Sequence, residues 1–109
     1  MTALAQFDAV LWQDNFGDLS EAEQRDVLWS ASWDLWRLST RMRDGALNER
    51  QAACHTLIAV TGNLGYVRCA HDLRTLDQAM LAGQAIDPNR VQSVLDVLCH
   101  IGRHVEQRI

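Results

Sequence analysis

One histidine in this chain stands apart from its surroundings. His55 lies in Arg50–Tyr66, RQAACHTLIAVTGNLGY, a run of apolar and small residues with two glycines and no acidic side chain. An exposed imidazole is largely neutral at neutral pH, and a neutral imidazole is a competent nucleophile. Gln51, Ala52, Ile58 and Ala59 occupy the positions three and four residues away. None of them is a hydroxyl or thiol that the ring could activate, so the imidazole itself would have to react. The other chemically capable groups are His71, His100, His104, Cys54, Cys69 and Cys99. His100 and His104, four apart and expected on the outer face of a last helix, have the spacing of a shared metal site. No carboxylate completes a good set with them, and Cys54 and Cys69 are expected to point away from the histidines beside them, so the expectation is no metal. The cysteines form no CxxC pair and read as reduced, buried thiols. No phosphate-cradling loop or nucleophile elbow occurs.

The elements that would position His55 are helices. The chain of 109 residues is 48% hydrophobic, enough for one domain with its own core, taken as 1–109. A formal charge of −4, with arginine and no lysine, makes it a poor nucleic-acid binder. Apolar runs are too short to span a bilayer. The opening MTALAQFDAVLW lacks a basic n-region and a cleavage site, which points to the cytoplasm. A short first helix is expected over about Ala3–Gln13, with Leu4, Phe7, Leu11 and Trp12 on one side and DNFGDLS ending it. Ser20 and Glu23 form a capping-box pair that opens a second helix running to about Arg43. Its stripe is Leu28, Ala31, Leu35, Leu38 and Met42, and a second stripe, Trp29, Trp33 and Trp36, lies beside it. The first helix is expected to cover the tryptophans; a homodimer or partner surface is the alternative. The third helix runs from near Asn48 to GNLG. The fourth spans about Tyr66–Leu81, with Tyr66, Cys69, Ala70, Leu73, Leu76 and Met80 inward. The fifth opens at Asp87–Pro88 and carries Val91, Val94, Leu95, Leu98, Ile101 and Val105. The pattern predicts an all-α protein, an antiparallel four-helix bundle with a short extra N-terminal helix.

At about 100° per residue, Ala53, Leu57, Val60 and Leu64 form the core face of the third helix, and His55 points outward. Gln51, Ala52, Ile58, Ala59 and Gly62 share the outer side. The small residues leave the ring open to approach by another protein, and no carboxylate lies within one helical turn of it.

The stretch AACHTLIAVTGNLGYVRCAHDLRTLDQAM resembles the histidine-containing phosphotransfer (HPt) domains of bacterial multi-step phosphorelays. Their pattern around the reactive histidine is roughly A-x-H-x-L-K-G-x-x-x-x-L-G. Ala53 or Ala52, His55, Leu57, Leu64 and Gly65 match it, and the likeness extends over about Asp18–Ile109. The chain departs at three positions: Ile58 replaces the lysine, Ala59 the glycine and Val60 a small polar residue. The resemblance implies a phosphoryl carrier in two-component signalling rather than a turnover enzyme. His55 would be the phosphoacceptor, with Gln51, Ala52, Ile58, Ala59 and Gly62 supporting phosphate or docking. The implied partners are receiver domains of a hybrid sensor kinase or a response regulator. The chain would need no cofactor of its own, with Mg²⁺ supplied by the receiver. A monomer is expected, with a dimer through Trp29, Trp33 and Trp36 as the alternative. Two further readings compete: a degenerate HPt-like module that binds a receiver or kinase without carrying phosphate, and a helical adaptor that uses the tryptophan stripe.

Overall fold

The computed structural model describes residues 6–109. It is all-helical over that range, a bundle of α1 (Ala9–Phe16), α2 (Glu21–Asp44), α3 (Leu47–Leu64), α4 (Val67–Leu81) and α5 (Pro88–Arg108). α2 packs against α3 and α5, α3 against α4, and α4 against α5, while α1 lies on α3.

The helix ends follow local chemistry. The Ser20 hydroxyl accepts the Glu23 N–H at 3.2 Å, and the Glu23 carboxylate accepts the Ser20 N–H at 3.0 Å, which satisfies two otherwise orphaned donors. Asp87 caps α5 through the Asn89 N–H at 2.9 Å, with Pro88 in the first turn. Gly65 ends α3 at φ 102°, where a Cβ would stand 2.6 Å from the Asp8 carbonyl oxygen; both the handedness and the space demand glycine there.

The core is the expected set of stripes. Leu28, Ala31, Leu35, Leu38 and Met42 of α2 are buried, as are Cys69, Ala70, Leu73, Leu76 and Met80 of α4 and Val94, Leu98, Ile101 and Val105 of α5. Val91 and Leu95 are half-buried against them. On α3 the buried arc is wider than expected: Cys54 and Thr61 join Ala53, Leu57 and Leu64, and Val60 is half-buried. The arc widens because α3 is gripped on two sides, by α2 and by α4.

The first helix differs from its expectation. It starts after Asp8, whose carboxylate caps the Leu11 N–H at 3.0 Å, and runs to Phe16 through Asp14 and Asn15. Ala3 and Leu4 lie outside the described residues. Tertiary contacts decide both ends: the Asp8 N–H donates to the Gly65 carbonyl at 2.8 Å, and the Asn15 amide to the Asn63 carbonyl at 3.0 Å. These bonds fasten α1 to the end of α3, and it does not cover the tryptophans of α2. Trp29, Trp33 and Trp36 remain 56%, 59% and 67% exposed.

The same end of the bundle is closed by an aromatic cluster. The Arg108 guanidinium lies 4.3 Å from the ring centres of both Phe7 and Trp12, favourable cation–π positions. His104 is half-buried, and its Nδ1 meets the Tyr66 hydroxyl. Burial, and then the Arg108 charge, lowers the His104 pKa below the ordinary imidazole value. The folded ring resists a proton that the unfolded chain takes up. Its contribution to stability is therefore present above the ordinary imidazole range and lost as the pH falls through the depressed value. Between about pH 7 and about pH 5 the melting temperature should fall, and His104→Gln should make that fall shallower. Thermal melts across the pH series would measure the difference.

Candidate functional site

His55 stands on the outer side of α3 with its side chain 81% exposed, as the helical wheel requires. The fold adds a carboxylate from the neighbouring helix. Asp77 of α4 places Oδ2 3.7 Å from His55 Nδ1, an ion-pair separation longer than a hydrogen bond. Asp77 is buried, with only 9% of its surface exposed. Its signal was present in the sequence: it lies four residues after Leu73 and three before Met80, an acid on the apolar side of α4. With Nδ1 turned toward Asp77, Nε2 is left on the solvent side of the ring. A carboxylate beside Nδ1 favours the tautomer carrying its proton there, and that leaves the Nε2 lone pair free to attack.

The residues expected around the ring divide into two groups. Ala52 and Ala59 are exposed and keep one side of His55 low. Gln51, Ile58 and Gly62 are half-buried on the side that faces α4. Gly62 was expected to clear space for the ring. A Cβ built on it would instead sit 3.7 Å from Ala70 Cβ, so its smallness serves the close approach of α4.

Two observations define the flank of α4 beside His55. Ala70 meets Gly62, and Asp77 meets His55. Cys69, Asp72 and Thr75 face the other way and line a groove shared with α5. Arg74 lies four residues after Ala70 and three before Asp77, positions that share a helix face, and it is exposed. It therefore shares the face of α4 that carries Ala70 and Asp77. Reading one helix at a time could not find it, because its relevance comes from the α3–α4 register.

The cysteines behind the site are inert. The Cys54 thiol donates to the Leu73 carbonyl at 3.3 Å. Burial, reinforced by the Asp77 charge, pushes its pKa up to about 12. Burial likewise pushes Cys69 up to about 12, with smaller contributions from Asp72 and Cys54. Cys99 corrects the expectation of uniformly buried thiols, for it is exposed on α5. Iodoacetamide at about pH 8 should alkylate Cys99 alone in the folded protein, since thiolate is the reacting form. Cys54 and Cys69 should react only after denaturation, which peptide mass spectrometry would resolve.

His100 and His104 do not form the outer pair that their spacing suggested. His100 is exposed, while His104 is turned to Tyr66. Among the described residues, no group of three or more His, Cys, Asp or Glu side chains is placed to hold a metal ion, and no helix is long and apolar enough to cross a membrane.

The chain matches no protein-family model, and no match was found among curated proteins or among solved structures.

Proposed function

We propose that this protein is a histidine phosphotransfer carrier that relays a phosphoryl group between receiver-domain aspartates through His55, acting in the cytoplasm of a bacterial two-component pathway. The observation that carries the reading is the exposed His55 imidazole with Nδ1 against a buried carboxylate and its other nitrogen open to a partner. The HPt-like pattern of residues around it supports the same reading. So does the bundle, read as an antiparallel four-helix arrangement of α2–α5 with α1 as an addition. Two-residue connections, Gly45–Ala46 and Gly65–Tyr66, join helices that pack on each other, and such short links favour reversal of direction.

In the proposed step a receiver bearing phosphoaspartate docks on the α3–α4 face. Nε2 of His55 attacks phosphorus in line; the P–N bond forms as the P–O bond to the aspartate breaks, and the receiver carboxylate leaves with the bonding electrons. Nδ1 keeps its proton, and Asp77 stabilises the positive charge that develops on the ring. Transfer to a second receiver reverses the sequence. Phosphoryl transfer is governed by positioning and charge neutralisation. Mg²⁺ comes from the receiver, and Arg74 supplies the cation that Ile58 cannot. Ile58 gives an apolar docking contact beside the ring, Gln51 a hydrogen bond to a phosphoryl oxygen, and Ala52 and Ala59 leave the receiver room to approach.

Incubation with receivers phosphorylated by a small-molecule donor should place an acid-labile, alkali-stable label on His55. A clean negative across a panel of cognate receivers would sink the reading. Arg74→Ala should slow transfer roughly hundredfold, and adding Ile58→Lys should restore much of it if the arginine takes the lysine's part. Ile58 also favours a second reading, a module that binds receivers without carrying phosphate. That reading predicts binding to receivers with no label, and no functional loss in His55→Ala.

A further inference from the structure

The exposed tryptophans belong to a longer pattern. Ala22, Asp26, Trp29, Trp33, Trp36, Thr40 and Arg43 follow one another at alternating steps of four and three along α2, the spacing of a coiled-coil seam. α2 already commits a different seam, Leu28 to Met42, to the core. All members of the outer seam are exposed except half-buried Thr40. Two copies of the seam carry six tryptophans, each more than half exposed. At about 150–250 Å² per aromatic side chain, they offer on the order of 800 Å² before flanking residues, close to the roughly 1,000 Å² of a specific interface.

Charge along the helix selects the partner and its direction. The first half of α2 carries Glu21, Glu23 and Asp26 against one arginine, Arg25; the second half carries Arg37, Arg41 and Arg43 against Asp34 and Asp44. We propose that this face of α2 pairs with the same face of a second copy of the chain, antiparallel, about a two-fold axis. With Trp33 opposite Trp36 of the second copy, Trp29 falls opposite Thr40 and Asp26 opposite Arg43. A parallel pairing would instead set Asp26 against Asp26 and Arg43 against Arg43. Arg43 is held at present by Asp44 at 3.1 Å, an exposed pair of the kind that contributes little, so it is available to the new partner. α2 packs against α3 and α5, whereas His55 sits where α3 meets α4. The dimer therefore leaves both His55 faces open, and it does not depend on the phosphotransfer reading.

Sedimentation of the full chain at micromolar concentration should give twice the 12.3 kDa chain mass. Trp33→Glu should weaken dimerisation by at least about thirtyfold with an unchanged circular-dichroism spectrum, because Trp33 is exposed in the monomer. Asp26→Arg and Arg43→Asp should each weaken it, and the double exchange should restore it. A wild-type protein that stays monomeric at several hundred micromolar, roughly the weak end of specific association, overturns the proposal, including when Trp33→Glu then abolishes receiver binding and so assigns the face to another partner. A dimer that survives Trp33→Glu overturns this face, and failure of the double exchange to restore association overturns the antiparallel register.

Discussion

Replacing His55 by glutamine is expected to eliminate phosphoryl labelling while leaving receiver binding and the melting temperature unchanged. The side chain is 81% exposed, so little packing is lost. Glutamine keeps the bulk and a polar tip but has no nucleophilic nitrogen. Asp77→Asn should have a graded effect, a transfer rate lower by roughly tenfold to hundredfold. An asparagine amide no longer offers a carboxylate's charge to Nδ1, so both the tautomer preference and the stabilisation of the developing positive charge weaken. Rapid-quench transfer from one phosphorylated receiver would separate the two variants. Full activity in His55→Gln would remove the histidine from the mechanism, and full activity in Asp77→Asn would reduce the carboxylate to a structural neighbour.

The largest expected effect on stability lies two residues further along the same helix. Leu57 is fully buried, at 0% exposure, among a core that includes Leu73, Leu98 and Ile101. Truncation to alanine should cost about 2–5 kcal/mol through lost burial and the cavity left behind. In a chain of this length that lowers the melting temperature by on the order of 10–30 °C. Val60→Ala, half-buried on the same helix, should cost clearly less, about 1 kcal/mol. Calorimetry on both variants tests whether Leu57 is the anchor of α3. Where Leu57→Ala remains folded, labelling at His55 should persist, because the imidazole and the leucine lie on opposite sides of the helix.

These two predictions draw on different levels of information. The contrast between Leu57 and His55 was legible in the sequence. So were the Ser20–Glu23 capping box, the Asp87–Pro88 start, the glycine stop at Gly65 and nearly every buried residue of α2, α4 and α5. Each depends on periodicity or capping within a single helix, and both are set by residues a turn apart. The width of the α3 core arc was underestimated because a wheel drawn for one helix does not show how many neighbours grip it; Cys54 is bonded to the Leu73 carbonyl of α4, a second partner that the wheel cannot supply.

What the amino-acid sequence determined alone is therefore the set of helices, their apolar stripes and the outward direction of His55. Tertiary structure decided what surrounds that histidine and which surfaces stay open. The register of α3 on α4 brings Asp77 to the ring, and it turns Gly62 from a clearing into a packing contact. The bonds from Asp8 and Asn15 to the end of α3 hold α1 off the tryptophan face of α2 and leave the three tryptophans bare. Tyr66 draws His104 inward and separates it from His100. The physical reason is common to all of these: helical phase is fixed by bonds between residues four apart, whereas the sliding and pairing of helices depend on contacts between residues far apart in the chain.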